Sequence, residues 1–250
     1  MARTYLPFLK TAVATLWGSL QIVSRDAFGK IDQGTVDGIL QRWQASIFRA
    51  GNCTVEGFGM EHLDAACPYV VMSNHQSLLD VPSLYATFPG RLRMISKKEL
   101  GRVPVWGSAM RAAGVVFVDR GARGKAIAAL DSAKALLSQG TSMWLAPEGT
   151  RSADGSLLPF KKGGFHLARQ LGAAIVPVWI EGTRKIIEKN TFAVTPGGHV
   201  VVRYGVPIPT AGVDEAGLPA LMEHVREAML LLAEAARQGP PHTQVGAKSP

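Results

Sequence analysis

Residues 69–80 read Tyr69-Val70-Val71-Met72-Ser73-Asn74-His75-Gln76-Ser77-Leu78-Leu79-Asp80. A short apolar run gives way at once to hydroxyl, amide, imidazole and carboxylate groups. A run with no polar face suits a strand buried in a sheet, and the polar groups then sit where the strand ends. The pattern recurs along the chain. Runs of β type lie at 93–96, 114–118, 142–145, 174–179 and 200–204. Helical patterns alternate with them. Val36, Ile39, Leu40, Trp43 and Ile47 recur at three and four residues, as do Leu218, Leu221, Met222, Val225, Met229 and Leu232. Strands alternating with helices predict an α/β domain with a central, mostly parallel or mixed sheet flanked by helices. Pro177 inside the run 174–179 predicts a sheet edge or a bulge there.

Composition bounds what such a domain does. The 250 residues are 47% hydrophobic and 18% charged, which excludes a disordered chain, a collagen and a coiled coil. Two cysteines, Cys53 and Cys67, have no metal-ligand spacing, so a disulfide framework is excluded and a reducing compartment follows. The net charge of +8 and a mean hydropathy of +0.11 leave three partners open: nucleic acid, an anionic membrane or a phosphorylated substrate. Residues 81–125 hold most of the excess, with nine bases (Arg91, Arg93, Lys97, Lys98, Arg102, Arg111, Arg120, Arg123 and Lys125) against Glu99 and Asp119. Nothing there has the form of a helix-turn-helix, a zinc finger or an aromatic RNA-binding signature, so no nucleic-acid partner is expected.

The chain divides into three parts. Residues 1–50 read as a helical segment, 51–238 as the α/β domain, and 239–250 as a disordered tail rich in Gly, Pro, Ser and Gln. Arg3 and Lys10 precede an uncharged run from 11 to 24, the outline of a signal peptide. Arg25-Asp26 stands where a small-residue cleavage site belongs. The run is shorter than the roughly 20 apolar residues of a spanning helix. With Tyr5, Phe8 and Trp17 as interfacial side chains, it reads as a helix lying in a membrane surface; Thr11, Thr15 and Gln21 interrupt its apolar face, and an ordinary N-terminal helix packed on the domain stands beside this reading.

Three polar clusters follow strands and converge if the sheet binds its ligand beyond the strand ends. In the first, His75 is suited to proton abstraction near neutral pH, and Asp80, five residues on, is placed to orient it. A capping or structural role for His75 stands beside this reading. Ser77 lacks the Gly-x-Ser-x-Gly elbow of a nucleophile. The second cluster is Asp119-Arg120-Gly121, an ion pair or a phosphate ligand. The third, 147–152, joins Glu148, Gly149, Thr150 and Arg151: a glycine turn with free N–H groups and a guanidinium fork for phosphate, or a surface ion pair. Lys161-Lys162-Gly163-Gly164 adds charge and a flexible turn.

These clusters together resemble the glycerophospholipid acyltransferase family, specifically the bacterial 1-acyl-glycerol-3-phosphate acyltransferases. Asn74-His75-Gln76-Ser77-Leu78-Leu79-Asp80 is similar to its first motif. Lys98, Pro104, Gly107 and Val116-Phe117-Val118-Asp119-Arg120 are similar to the second, Pro147-Glu148-Gly149-Thr150-Arg151-Ser152 to the third, and Ile175-Val176-Pro177-Val178 to the fourth. The order is kept over residues 70–180. Ala146 departs from the phenylalanine usual before the third motif, which bears on acceptor fit.

The resemblance implies a single acyltransferase domain that moves a fatty acyl group from acyl-CoA or acyl-carrier protein to the free hydroxyl of lysophosphatidic acid. It implies His75 as general base and Asp80 as its orienting carboxylate, with no acyl-enzyme, no cofactor and no metal. Glu148, Gly149, Thr150 and Arg151, with Arg120 and Lys98, would hold the glycerol phosphate. Pro177 and Val178 would border the acyl chain or donor. The place of action would be the cytoplasmic face of the inner membrane, against anionic lipid. The same motifs serve other lysolipid or polar acceptors, and a non-catalytic lipid-binding protein on the same fold is the further alternative.

Overall fold

The computed structural model describes residues 3–118 and 123–238, with backbone alone at 123–129. Asp119, Arg120 and the tail at 239–250 lie outside the described residues. Two helices come first, α1 (Leu6–Ala27) and α2 (Gln33–Ala50). There follow β1 (Thr54–Phe58), β2 (Val70–Ser73), α3 (Asp80–Thr87), β3 (Arg91–Lys97), α4 (Trp106–Ala112) and β4 (Val116–Val118). The remainder is α5 (Arg123–Ser138), β5 (Thr141–Leu145), α6 (Lys162–Leu171), β6 (Ile175–Glu181), α7 (Thr183–Ile186), β7 (His199–Tyr204) and α8 (Leu218–Arg237).

The described strands form one mixed sheet in the order β1-β7-β6-β2-β5-β3-β4, parallel at every pair except β6–β7. Side chains alternate across it, as the pleat requires. Val71, Val176 and Val178 pack on one face with Leu84 of α3, Phe88 just after it and Ile47 of α2. Val70, Met72 and Ile175 pack on the other with Phe165 of α6 and Leu221, Val225 and Met229 of α8. Each such side chain contributes about 1.5–3 kcal/mol when fully buried. All six runs expected to be strands are strands. The strand β1 was not foreseen: Glu56 and Gly57 break its alternation, and it exists by pairing with β7, Thr54 opposite His199 through Phe58 opposite Arg203.

The expectation for Pro177 is corrected. It lies in β6, an interior strand between β7 and β2, with no edge beside it. The missing N–H falls where the antiparallel ladder ends at Val178 opposite Tyr204. Beyond that point the Pro177 carbonyl accepts from Gly205 N–H at 2.8 Å. A side chain at 205 would approach the proline ring to 2.9 Å, so glycine makes room for it.

The helix α1 is longer than the uncharged run that signals it, 22 residues with a mean hydropathy of 1.2 over its most apolar 18, enough by length and composition to cross a membrane. The expectation from run length is therefore corrected: Leu6 to Lys10 extend the helix backwards. The helix α1 packs along α2 and α4, as the alternative of a helix packed on the domain has it, while one face stays exposed. Gly18 leaves 3.6 Å between a Cβ there and Ile39 Cγ2. The two threonines that interrupt its apolar pattern bond Pro7 and Thr11 carbonyls, and the Trp43 indole N–H donates to Thr15 Oγ1 at 2.9 Å. They belong to the domain side. The opposite face carries Tyr5, Leu6, Leu9, Val13, Leu16, Trp17 and Leu20, all exposed.

Candidate active site

The strand β2 ends at Ser73, and the chain turns through Asn74–Leu79 into α3, whose first residue is Asp80. Asp80 is fully buried. Its Oδ2 accepts from the backbone N–H of Gln76 at 2.7 Å and Ser77 at 3.0 Å, and lies 2.7 Å from His75 Nδ1. Its Oδ1 accepts from the Thr183 hydroxyl at 2.6 Å. A carboxylate oxygen already accepting two N–H groups is an acceptor for the third, which puts the imidazole proton on Nδ1 and leaves Nε2 as the basic nitrogen. A carboxylate at a helix start also meets the positive end of the helix dipole.

The surroundings hold this loop. Asn74 donates from Nδ2 to the Ile180 carbonyl at 2.9 Å and accepts at Oδ1 from Ile180 N–H at 2.7 Å, so its amide continues the β2–β6 pairing beyond the strand end. Trp144 stands edge-on to the His75 ring, centroids 5.8 Å apart, and its indole N–H donates to Ser73 Oγ at 2.9 Å. Ser77 is buried, and its hydroxyl donates to the Ile187 carbonyl at 2.8 Å; it serves the fold and is not presented as a nucleophile.

Glu148 does not line the cavity that its neighbours Gly149, Thr150 and Arg151 line, against expectation. It is 2% exposed, with Oε1 accepting from His75 N–H at 2.7 Å and Oε2 from Leu158 N–H at 2.9 Å. A carboxylate would in any case repel phosphate; here it fixes the backbone under the His75–Asp80 pair. Burial pushes its carboxyl up, against the lowering effect of the Leu158 and His75 N–H groups. Replacing it, Glu148→Ala, leaves two buried N–H groups unpaired at about 1–3 kcal/mol each, and a lower thermal midpoint is expected. The raised carboxyl binds its proton more tightly folded than unfolded, so this residue's contribution falls as pH rises from about 4.5 through the folded value. The stability gap between wild type and Glu148→Gln should therefore narrow over that interval in thermal melts; a gap that widens contradicts the assignment.

Beyond Glu148 the chain turns at Gly149, whose φ of +71° favours glycine. Ser152 N–H returns to the His75 carbonyl at 2.7 Å, and the Lys189 ammonium donates to the Arg151 carbonyl at 2.6 Å. Gly149, Thr150 and Arg151 thus line the same cavity as His75. That cavity measures about 1780 Å³ and runs from this loop beneath α1 and α2, past Thr15, Ile39, Leu40 and Trp43. It exceeds the 300–1,000 Å³ or so of an ordinary small-molecule pocket. Ala146 lies in its wall, where its small side chain leaves room beside Trp144.

Other expected residues fall elsewhere. Pro177 and Val178 are buried in β6, and neither lines the cavity. Lys98 opens the turn Lys98–Arg102, and its neighbour Lys97 lines the cavity in its stead. The basic stretch is divided among several tasks. Arg91 and Arg93 pair with Asp37 of α2 at 2.8 and 2.7 Å, and Arg93 also reaches Gln33, so they tie α2 to the sheet. Lys161 lines the cavity, but Gly163 and Gly164 lie in the first turn of α6 and form no flexible turn. A Cβ at 164 would come within 2.7 Å of Leu145, so glycine brings α6 close to β5. Thr183 and Trp144 escaped the sequence reading: Trp144 sits inside an apolar run, and the polar residues 181–185 that end β6 were not singled out as a cluster.

A family model described as Acyltransferase matches residues 54–181, just over half of the chain. The human 1-acyl-sn-glycerol-3-phosphate acyltransferase alpha is 42% identical over 177 residues, 70% of this chain and 62% of the relative. The 1-acyl-sn-glycerol-3-phosphate acyltransferase of Saccharomyces cerevisiae is 36% identical over 179 residues, 70% of this chain and 58% of the relative. The chain thus spans about three-fifths of the length of these curated relatives. The crystal structure of the 1-acyl-sn-glycerophosphate acyltransferase PlsC from Thermotoga maritima is similar with a TM-score of 0.77 and 28% identity, covering 95% of this chain and 96% of that one.

Proposed function

The chain belongs to the acyltransferase family, and from that premise we propose that it transfers a fatty acyl group from a thioester donor to the free hydroxyl of 1-acyl-glycerol-3-phosphate, giving phosphatidic acid. The observation that carries the reading is His75, bonded to buried Asp80 at 2.7 Å, on the wall of a cavity that Arg151 also lines. The names of the relatives support the acceptor. Acyl-CoA and acyl-carrier protein both fit the donor role.

In this reading His75 Nε2 takes the proton of the acceptor hydroxyl as its oxygen attacks the thioester carbonyl carbon. Asp80 stabilises the imidazolium that forms. The C–S bond then breaks, and the departing thiolate takes the proton from His75. Arg151, with the turn at Gly149 and Thr150, receives the phosphate; the apolar length of the cavity receives acyl chains. The outward face of α1 rests in the bilayer from which the acceptor enters and to which the product returns, and Lys10 and Arg25 add attraction to anionic lipid.

The test is purified protein with liposomes, lysophosphatidic acid and each thioester donor, scored for phosphatidic acid. Preference for another lysolipid, or no transfer, overturns the proposal. Arg151→Ala is expected to raise the acceptor KM by tenfold or more, the order of one charge-assisted hydrogen bond lost, with a smaller change in kcat. An unchanged KM removes Arg151 from the phosphate site.

A further inference from the structure

Thr183 is fully buried, has no place in the chemistry above, and donates its hydroxyl to the one Asp80 oxygen that no other group in the catalytic loop engages. We propose that Thr183 is a positioning residue for the proton transfer: by occupying Asp80 Oδ1 it locks the carboxylate in the rotamer that presents Oδ2 to His75, and it sets how much of the carboxylate charge His75 experiences. The inference rests on the reading of His75 as general base and deepens it.

The geometry is built for this contact. Asp80 Oδ2 takes three donors, two of them backbone N–H groups that fix its position along the loop. Those donors all meet one oxygen, so they leave the carboxylate able to swing about it; the Thr183 hydroxyl, from a residue 103 positions later, supplies the second point of attachment. Thr183 is itself held by two constraints. It opens α7 directly after β6, whose Ile180 is paired in both directions with Asn74. Gly182 before it has φ +92° and passes so near His199 that a Cβ there would lie 2.2 Å from the His199 carbonyl oxygen. The end of β6 and the start of α7 thus carry the anchor of Asn74, at Ile180, and the anchor of Asp80, at Thr183.

Removing the hydroxyl leaves more of the negative charge for His75, so the imidazolium is stabilised while its orientation loosens. The charged and titratable groups around the pair are Glu148, whose carboxylate interacts with both His75 and Asp80, and Arg151, Lys97, Lys161 and His166 on the cavity wall. All are unchanged in a Thr183 variant.

The experiment compares wild type with Thr183→Val, of similar shape, and Thr183→Ser, which keeps the donor. Two readouts are taken: kcat and acceptor KM across pH, and the Nδ1 proton resonance of His75 in protein labelled with ¹⁵N-histidine, assigned by its loss in His75→Gln. Thr183→Val is expected to lower kcat about tenfold, the order of one hydrogen bond to a charged group, with KM unchanged. The acid limb of its kcat profile should move to higher pH and the Nδ1 proton downfield, and Thr183→Ser should restore all three. A kcat loss with the pH profile and resonance unmoved means a structural role only and overturns the proposal, as does wild-type kcat in Thr183→Val. If Thr183→Val does not fold, Thr183→Cys, a weaker donor of similar size, is read by the same outcomes. If wild-type protein transfers no acyl group, the proposed function fails, and the resonance alone decides whether Thr183 acts on His75.

Discussion

Replacing His75 by alanine is expected to abolish acyl transfer, a fall in kcat of about 10²–10⁴-fold, while the protein remains folded. The magnitude follows because, among the described residues of the loop, no other base stands in its place: Asp80 is enclosed by four donors and Glu148 is turned away beneath it. Folding survives because the structural bonds of residue 75 belong to its main chain. Its N–H meets Glu148 and its carbonyl meets Ser152, and alanine keeps both. Removing the ring takes one edge-on contact from Trp144, about 0.5–1.5 kcal/mol beyond area burial. The check is kcat with lysophosphatidic acid beside a thermal melt. Transfer near the wild-type rate in folded His75→Ala rejects the general base.

Asp80→Asn is expected to lower kcat nearly as far, and this variant separates charge from shape. The asparagine amide can take over the geometry. Its oxygen can replace Oδ2 before His75, Gln76 and Ser77, and its NH₂ then faces Thr183, whose hydroxyl accepts as readily as it donates. The fold therefore stays, but the imidazolium formed during proton transfer loses its counter-charge. In the serine-protease triad the corresponding change costs about 10⁴-fold, and a fall of about 10²–10⁴-fold is the range expected here. KM for the acceptor should stay near wild type, since Asp80 does not reach the cavity. A KM that rises in step with the loss of kcat would instead assign Asp80 to substrate binding.

How far the site was legible depends on where its bonds lie in the chain. His75 and Asp80 are five residues apart, so a strand end followed by a helix start was enough to bring them together. Arg151 was legible for the same reason, as part of a turn after a strand. Glu148 was misread, because nothing local tells whether a carboxylate in a turn points out at a ligand or in at backbone N–H groups 10 and 73 positions away. The basic stretch could not be apportioned in the same manner: Arg93 counts in sequence only as one base of nine and is 1% exposed against Asp37 in space.

For the fold, alternation and apolar runs were sufficient to mark six of the seven described strands, since burial on both faces leaves its trace in the residues themselves. The sequence alone thus determined the class of fold, the nearness of His75 to Asp80 and the family likeness. Strand order, the interior place of Pro177 and the fourth bond to Asp80 from Thr183 were decided by tertiary structure only. Each is a contact between segments far apart along the chain, where one partner carries no mark of the other until the sheet closes between them.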